Sequence, residues 1–214
     1  IESTACCIAR TVIAVVEANP RWNFWPSYDR VTIQADLTDV EGAPGMWGTS
    51  FSMRFKTGAK TILKDSIDKF RMVVFQDDKK VKVFPISSGR EGFETETGIK
   101  VISEKYGYMQ KTLWNPEPKK GWKIKVAYAM RITWDGEFIH SAPWNYSLGQ
   151  ANLSHGCTNM SEADSKWVFD HVRVGDVVNN IGGTVLTRQD NVYGYWNYTW
   201  ADWQAMSALK VVQA

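Results

Sequence analysis

The most informative stretch of the chain consists of two segments, IHSAPW at positions 139–144 and SHGCTN at positions 154–159. Together they contain His140, His155 and Cys157, which are two of the three histidines and the one cysteine that stands by itself. A thiolate nucleophile needs a neighbouring base, and that base needs a partner that fixes its tautomer. The two segments therefore predict a catalytic cysteine, with Cys157 as the nucleophile.

The residues around Cys157 suit the same chemistry. His140 ends a strand-like run, which would hold a base rigidly, and Gly156 lets the backbone approach a substrate closely. Successive backbone N–H groups in this segment are suited to receive an oxyanion. Ser161 precedes Asp164 by three residues and predicts the N-cap of a helix, whose dipole favours a thiolate near its start.

Two other interpretations use the same residues. A zinc site could take His140, His155 and Cys157, but the His-x-Cys spacing is not a usual structural zinc pattern and no second cysteine pair completes it. The residues could also simply pack, because one histidine and one cysteine in a glycine-rich turn prove nothing singly. From the residues alone, both alternatives stay open.

Working outward, the sequence predicts strands before these segments. Residues 31–37 alternate between apolar and polar side chains, and residues 51–57 repeat the pattern with Phe51, Met53 and Phe55 facing inward. This period of two is typical of half-buried antiparallel strands. Residues 1–57 are therefore predicted to be part of a small β-sandwich.

Further strands are predicted beyond residue 60. Residues 72–76 and 81–86 flank a polar turn and predict a hairpin. Residues 104–121 form a polar, aromatic stretch containing Pro116 and Pro118, which we interpret as a lid or substrate loop. Three more strands are expected over 98–103, 122–128 and 136–140.

Composition excludes several classes of protein. The 25 Lys and Arg residues against 23 Asp and Glu residues leave a net charge of +2, too even for a nucleic-acid or anionic-membrane surface. No apolar run approaches the roughly 18–20 residues that cross a bilayer. Because Ile1 is not an initiator methionine, we expect any signal or anchor to lie outside this chain. The adjacent Cys6 and Cys7 do not form a disulfide framework.

The two segments resemble the signature of the L,D-transpeptidases, the YkuD-type enzymes that cross-link peptidoglycan. The HSAPW form at 140–144 and the tryptophan-rich tail at 196–203 are similar to the actinobacterial, mycobacterial-like branch. RFKTG at 54–58 resembles the junction that follows an immunoglobulin-like domain in that branch, and residues 167–176 resemble the helix after the nucleophile.

The resemblance implies a mainly β fold, a YkuD-type β-sandwich catalytic domain with one main helix. It implies three regions: a partial immunoglobulin-like β domain over 1–57, the catalytic domain over 58–189 and a Trp-rich C-terminal subdomain over 190–214.

The resemblance also assigns the site. Cys157 is expected to be the nucleophile, His140 its base and acid, and the Ser141 carbonyl the group that orients the imidazole. Trp122 stands where close relatives have a tyrosine that assists the substrate carbonyl. The residues expected to bind substrate or oxyanion are Trp122, Asp135, Gly136, Ser154, His155, Gly156 and Asn159.

The implied activity is formation of 3→3 cross-links between stem peptides through a Cys thioester, with release of D-Ala from a donor tetrapeptide. No metal or organic cofactor is expected, and carbapenems are expected to acylate the thiol. The implied location is extracytoplasmic, with a membrane anchor outside this chain. Two rivals remain: a Cys-dependent stem-peptide hydrolase, which is an L,D-carboxypeptidase, and a non-catalytic wall-binding module.

Overall fold

The computed structural model describes residues 27–38, 40–115 and 120–188, together with Asn191, Asn197 and Ala205. Within its strands, the side chains of residues 112–115 and 120–122 are outside that description. Two compact units divide the chain: the described residues 27–60 belong to the first, and Thr61–Asn197 form the second. Cys6, Cys7 and most of the predicted C-terminal subdomain lie outside the described residues.

In the first unit, the described residues form two antiparallel β-ribbons. Strand β1 (Arg30–Ala35) pairs with β4 (Phe51–Lys56), and β2 (Glu41–Ala43) pairs with β3 (Met46–Trp47). Both predicted alternating strands are therefore present. The described residues do not show an immunoglobulin-like sandwich, so that assignment stays a prediction.

The predicted burial of β4 is wrong. Phe51, Met53 and Phe55 are 49%, 50% and 36% exposed, although they share one face of the strand as the alternation requires. Among the described residues β4 pairs with β1 alone, and a two-stranded ribbon has too few side chains to cover an apolar face. Alternation therefore predicted the strand and its faces, but not what covers them.

The second unit contains two sheets. The strands of the first are β5 (Thr61–Ser66), β6 (Arg71–Gln76), β7 (Lys79–Pro85), β8 (Gly98–Val101) and β13 (Val177–Ile181), in the order β7-β6-β5-β13-β8. Those of the second are β9 (Glu104–Asn115), β10 (Lys120–Arg131), β11 (Phe138–Ser141) and β12 (Thr158–Met160), in the order β12-β11-β10-β9. Two pairings are parallel, β5 with β13 and β11 with β12, and the others are antiparallel.

The core of this unit lies between the two sheets. Leu63 and Met72 from the first sheet meet Met130 and Ile139 from the second in one buried cluster. All four are fully buried, so removal of their apolar surface from water drives the two layers together. The mainly β sandwich predicted for the catalytic domain is confirmed.

The predicted helix is present as α1 (Glu162–His171), the one α-helix of more than a single residue in the described part of the chain. Its N-cap is Ser161, whose hydroxyl oxygen accepts a hydrogen bond from the backbone N–H of Asp164 at 3.1 Å. Val168 on α1 is buried in the core cluster, so the helix closes one side of the sandwich. The local prediction of this cap is confirmed.

The predicted lid or substrate loop over 104–121 is instead a long β-hairpin. Strands β9 and β10 pair in antiparallel register from Glu104 opposite Arg131 to Asn115 opposite Lys120. Ladder pairing satisfies the backbone polar groups that a loop would have to expose. Pro116 and Pro118, which the sequence places between the two strands, lie outside the described residues.

The hairpin predicted around residues 77–80 is confirmed in β6 and β7. Asp77 and Asp78 form its turn with φ of 50° and 65°. Two central residues in the left-handed region match the right-handed twist of the flanking strands, and aspartate tolerates that region better than most residues.

Among the described residues, no helix is both long enough and apolar enough to span a bilayer.

Candidate active site

Two parallel strands bring the sequence motifs together. Residue His140 of β11 lies opposite Asn159 of β12 in the register of that pair. Cys157 immediately precedes β12, so the nucleophile candidate emerges at the edge of the strand beside the histidine. The spacing of 17 residues between the two is therefore the length of one crossover connection.

The imidazole of His140 is held by the backbone. Its Nδ1 lies 2.8 Å from the carbonyl oxygen of Ser141, so Nδ1 carries the proton that it donates there. Nε2 then faces the site and lies 3.4 Å from Nδ2 of Asn159. The ring is only 5% exposed. This arrangement fixes the tautomer in which Nε2 can exchange a proton with a substrate.

The sulfur of Cys157 is buried but electrostatically favoured as a thiolate. Its residue is 6% exposed, and Sγ lies 2.8 Å from Nζ of Lys111 and 3.8 Å from the Gly136 carbonyl oxygen. Burial by itself raises the pKa of the thiol. Hydrogen bonding to His140 and the positive charge of Lys111 outweigh burial and lower that pKa to about 6.

A compact turn presents Cys157. The Ser154 hydroxyl donates to the Cys157 carbonyl at 2.5 Å and accepts from the Gly156 N–H at 3.1 Å. Gly156 adopts φ of +110°, which only glycine enters without strain. The Gly156 N–H is therefore satisfied within the turn, which is a departure from its predicted part in an oxyanion hole.

A second segment, residues 87–97, holds this turn in place by hydrogen bonds. Thr95 donates its hydroxyl hydrogen to the Gly156 carbonyl at 2.7 Å and accepts from the Gly89 N–H at 2.8 Å. A Cβ on Gly89 would lie 2.0 Å from the Phe93 carbonyl oxygen, so only glycine fits there. The Asn159 N–H donates to the Ser87 carbonyl at 2.8 Å.

His155 interacts with a different group of residues. Its Nε2 lies 2.9 Å from Nη2 of Arg90, and its ring meets the Phe93 ring edge-on at 4.8 Å between centroids. Partial burial and then the charge of Arg90 lower the pKa of His155. Arg90 also donates to the Ser154 carbonyl at 3.2 Å. His155 is thus tied to the wall of the site through Arg90.

The remaining predicted residues are split by the structure. Gly136 lies at the site, because its carbonyl oxygen is 3.0 Å from Nζ of Lys111. The Asp135 carboxylate instead accepts from the Thr133 hydroxyl at 2.6 Å and lies 3.7 Å from Arg188, away from the pocket lining. The backbone of Trp122 pairs with Leu113, and its side chain lies outside the described residues.

A pocket of about 450 Å³ opens over the sulfur. It is lined by Lys111, Ile124, His140, Trp144, Asn145, Tyr146, Ser147, Leu153, Ser154, His155, Cys157 and Asn159. The lining combines aromatic side chains with the Cys157 thiol and the His140 imidazole, a combination that suits an acyl substrate. The part of the chain that the structure describes contains no group of three His, Cys, Asp or Glu side chains arranged to hold a metal ion.

Three residues of the site were missed by the sequence analysis: Lys111, Thr95 and Arg90. Each reaches the site over a long sequence separation, so no local motif marks it. Lys111 alone had a usable signal, since it follows the apolar Met109 by two residues and would share its face in a strand. Because residues 104–121 are interpreted as a loop, the sequence analysis assigns no strand face to Lys111.

The chain matches the family model of the YkuD L,D-transpeptidase catalytic domain over residues 60–179. It is 32% identical over 200 residues to L,D-transpeptidase 2 of Mycobacterium tuberculosis (strain CDC 1551 / Oshkosh), which covers 88% of this chain and 48% of that protein. The chain therefore spans about half the length of this relative.

Solved structures are similar as well. An L,D-transpeptidase from Mycobacterium smegmatis matches with a TM-score of 0.62 and 29% identity, covering 74% of this chain and 70% of that chain. The L,D-transpeptidase LdtMt1 in complex with imipenem matches with a TM-score of 0.63 and 28% identity, covering 75% and 70%. Since the family model spans more than half of its residues, the chain belongs to the YkuD family of L,D-transpeptidases, whose members are acyltransferases.

Proposed function

We propose that this protein is a peptidoglycan L,D-transpeptidase that forms 3→3 cross-links through a thioester on Cys157. The observation that carries the proposal is the pairing of a buried, low-pKa thiol with an imidazole whose tautomer is fixed by the Ser141 carbonyl. Membership of the L,D-transpeptidase family supports the substrate class. The imipenem complex of a structural neighbour supports carbapenems as covalent inhibitors.

In the first half-reaction, the Cys157 thiolate attacks the carbonyl carbon of the third residue of a donor tetrapeptide. An S–C bond forms, and the carbonyl electron pair moves onto oxygen. When the tetrahedral intermediate collapses, the C–N bond breaks and protonated His140 gives its Nε2 proton to the departing D-Ala nitrogen. The product of this step is a thioester on Cys157.

In the second half-reaction, the side-chain amine of the third residue of an acceptor stem attacks the thioester. Neutral His140 takes a proton from that amine at Nε2, while the S–C bond breaks and the thiolate returns. The Ser141 carbonyl favours both states of the ring, because it accepts from Nδ1–H whether or not Nε2 is protonated. All of the groups used belong to the protein, so the proposal includes no metal or organic cofactor.

The oxyanion and the stem are assigned to neighbouring groups. The Gly156 N–H is bonded to the Ser154 hydroxyl, so the backbone donor assigned to the oxyanion is the Cys157 N–H, and Asn159 adds a side-chain amide beside His140. His155 and the Gly136 carbonyl border the place where the stem would lie. Because its substrate is peptidoglycan, we propose that the protein works outside the cytoplasm, held at the membrane by an anchor beyond this chain.

The proposal is tested with a purified disaccharide-tetrapeptide and mass spectrometry of the products. We expect release of D-Ala together with a dimer joined between the third residues of two stems. A free tripeptide without dimer would instead identify an L,D-carboxypeptidase. If neither product formed while the Cys157→Ala variant bound muropeptide as well as the wild type, the protein would be a wall-binding module.

A further inference from the structure

Lys111 reaches the Cys157 sulfur from the hairpin of β9 and β10. Its Nζ lies 2.8 Å from Sγ, 3.0 Å from the Gly136 carbonyl oxygen and 4.2 Å from the centroid of the Phe138 ring. In the part of the chain that the structure describes, Lys111 forms no ion pair with a carboxylate. The sulfur is thus the one group among these contacts that can carry a negative charge.

The hairpin holds Lys111 in this position. Lys111 lies opposite Ile124 in the β9–β10 register, and both side chains line the pocket. Met109, two residues earlier on the same face, packs against the buried cluster that contains Phe138 and Cys157. Packing of Met109 and Ile124 against this cluster therefore holds the face of β9 that carries Lys111 next to the sulfur.

We propose that Lys111 is a catalytic residue, whose ammonium holds the Cys157 sulfur as a thiolate from the hairpin while His140 holds it from β11. The proposal deepens the proposed function and depends on its choice of Cys157 as the nucleophile. Its physical basis is the attraction between two opposite charges at contact distance in a site with little water, where the effective dielectric constant is well below that of water.

Lys111 acts on the sulfur at two points of the reaction. Before attack it favours the thiolate, and the charge is lost when the S–C bond forms. When the acceptor amine displaces the thioester, the S–C bond breaks and the thiolate is the leaving group, so the same ammonium stabilises its departure. Lys111 keeps its own proton throughout, and every proton transfer stays with His140.

Other charged groups near the sulfur have their own partners. His140 faces the sulfur from β11, and His155 in the pocket wall lies against Arg90. The Glu137 carboxylate, which lies close to Gly156, is bonded to Lys100 at 2.5 Å and accepts from the Glu96 N–H at 2.8 Å. Lys111 is therefore the lysine whose removal acts directly on the thiol.

The expected effect is a crossing of two pH profiles. Without the ammonium the thiol ionises at higher pH, so fewer thiolates exist in acid, while each thiolate becomes a stronger nucleophile. For a shift of one to two pH units, Lys111→Met should react about 2–6-fold more slowly than the wild type at pH 6. At pH 9, where both are ionised, the variant should react about 3–8-fold faster.

The experiment is alkylation of the full chain with iodoacetamide from pH 5 to pH 10. Mass spectrometry of the Cys157 peptide separates this thiol from Cys6 and Cys7. Lys111→Arg, which keeps the charge, should follow the wild-type profile. Lys125→Met is the matched control. Lys125 is exposed and lies on the same hairpin, directly after Ile124, so this variant removes one positive charge without changing the pocket lining. It should leave the profile unchanged.

An unchanged midpoint in Lys111→Met would overturn the proposal. So would an equal shift in Lys125→Met, because the effect would then belong to net charge. A higher KM for stem peptide with an unchanged alkylation midpoint would make Lys111 a substrate-binding residue instead. If Lys111→Met does not fold, judged by its melting curve, Lys111→Gln replaces it with the same expectations.

This test does not depend on the proposed function. Alkylation needs no peptidoglycan, so it reports on the thiol even if the product assay finds no cross-linked dimer. A protein that cross-links stems with an unshifted Lys111→Met profile keeps its proposed function and loses this inference. If the Lys111→Met profile shifts but no stem products form, this inference is kept and the proposed function is lost.

Discussion

At the scale of single residues, the site depends on a few short contacts that set protonation. The Ser141 carbonyl, and not a carboxylate, orients His140 at 2.8 Å. A carbonyl fixes the tautomer without adding a negative charge to the site. The low pKa of Cys157, about 6, means that the thiolate is already present at neutral pH. We therefore expect acylation rates to rise with pH up to about 6, as the thiol ionises.

The first prediction separates the two histidines of the motif. His140→Ala should slow acylation by roughly 10²–10⁴-fold, since it removes both the proton carrier and a hydrogen bond to the sulfur. His155→Ala should have a much smaller effect, because His155 contacts Arg90 and Phe93. Stopped-flow measurement of carbapenem acylation gives both rates. If His155→Ala lost acylation while His140→Ala acylated at the wild-type rate, the roles of the two histidines would be the reverse of those proposed.

At the scale of elements, three segments position Cys157: strand β11, strand β12 with the turn before it, and residues 87–97. The turn before β12 contains Gly156 at φ +110°. Its position depends on hydrogen bonds from Thr95 and within Ser154–Cys157, which are buried. Contacts from a neighbouring segment therefore determine where the sulfur points.

The second prediction tests that support with Thr95→Val. Valine keeps the shape of threonine but leaves the Gly156 carbonyl and the Gly89 N–H unpaired, at about 1–3 kcal/mol for each buried group. We expect a lower melting temperature and acylation slowed roughly tenfold to a hundredfold by misplacement of the turn.

The control for Thr95→Val is Ser161→Ala. It removes the cap of α1, for about 1 kcal/mol of stability, without touching the turn. This variant should melt earlier and still acylate at the wild-type rate. Wild-type acylation in a destabilised Thr95→Val variant would show that the turn does not need this support.

The sequence predicted those parts of the molecule that local patterns determine. The cap at Ser161, the turn at Asp77 and Asp78 and the strand faces of β1 depend on neighbours within a few residues. Contacts of Lys111 with Cys157 and of Thr95 with Gly156 span 46 and 61 positions, and no single-sequence pattern encodes such distances. The polar and aromatic residues of 104–121 predict a loop, but the structure has a hairpin there, because strands that border a pocket need no apolar alternation.

At the scale of the whole catalytic unit, two charged side chains on strands of the first sheet are fully buried. Lys100 on β8 is fully buried and pairs with Glu137 at 2.5 Å. Asp65 on β5 is also fully buried, and it accepts from the Thr158 hydroxyl at 3.2 Å. Burial raises the pKa of Asp65 to about 7, opposed by Thr158 and the charge of Lys100. Asp65 Oδ1 has no hydrogen-bond partner in the described structure.

The third prediction follows from Asp65. In the folded protein the pKa of the Asp65 carboxyl lies above its ordinary value of 3.8. The protonated carboxyl therefore contributes to stability below about pH 4, and this contribution is lost as pH rises toward 7. Asp65→Asn should therefore flatten the decline of stability over that range and raise stability at pH 8, by on the order of 1–4 kcal/mol.

Urea unfolding at pH 4, 6 and 8 measures this difference. The exposed Asp68, three residues away in sequence, gives the control Asp68→Asn, which should keep the wild-type pH dependence. An Asp65→Asn profile parallel to the wild type would mean that Asp65 is not the group responsible.

The central claim, that Cys157 is the nucleophile of acyl transfer, is tested most directly by the mass of the protein after exposure to a carbapenem. We predict one adduct per chain, located by digestion in the Cys157 peptide and absent from Cys157→Ala. Cys6 and Cys7 serve as internal controls, since they are present in both proteins. An adduct that persists in Cys157→Ala, or that maps to Cys6 or Cys7, would contradict the account.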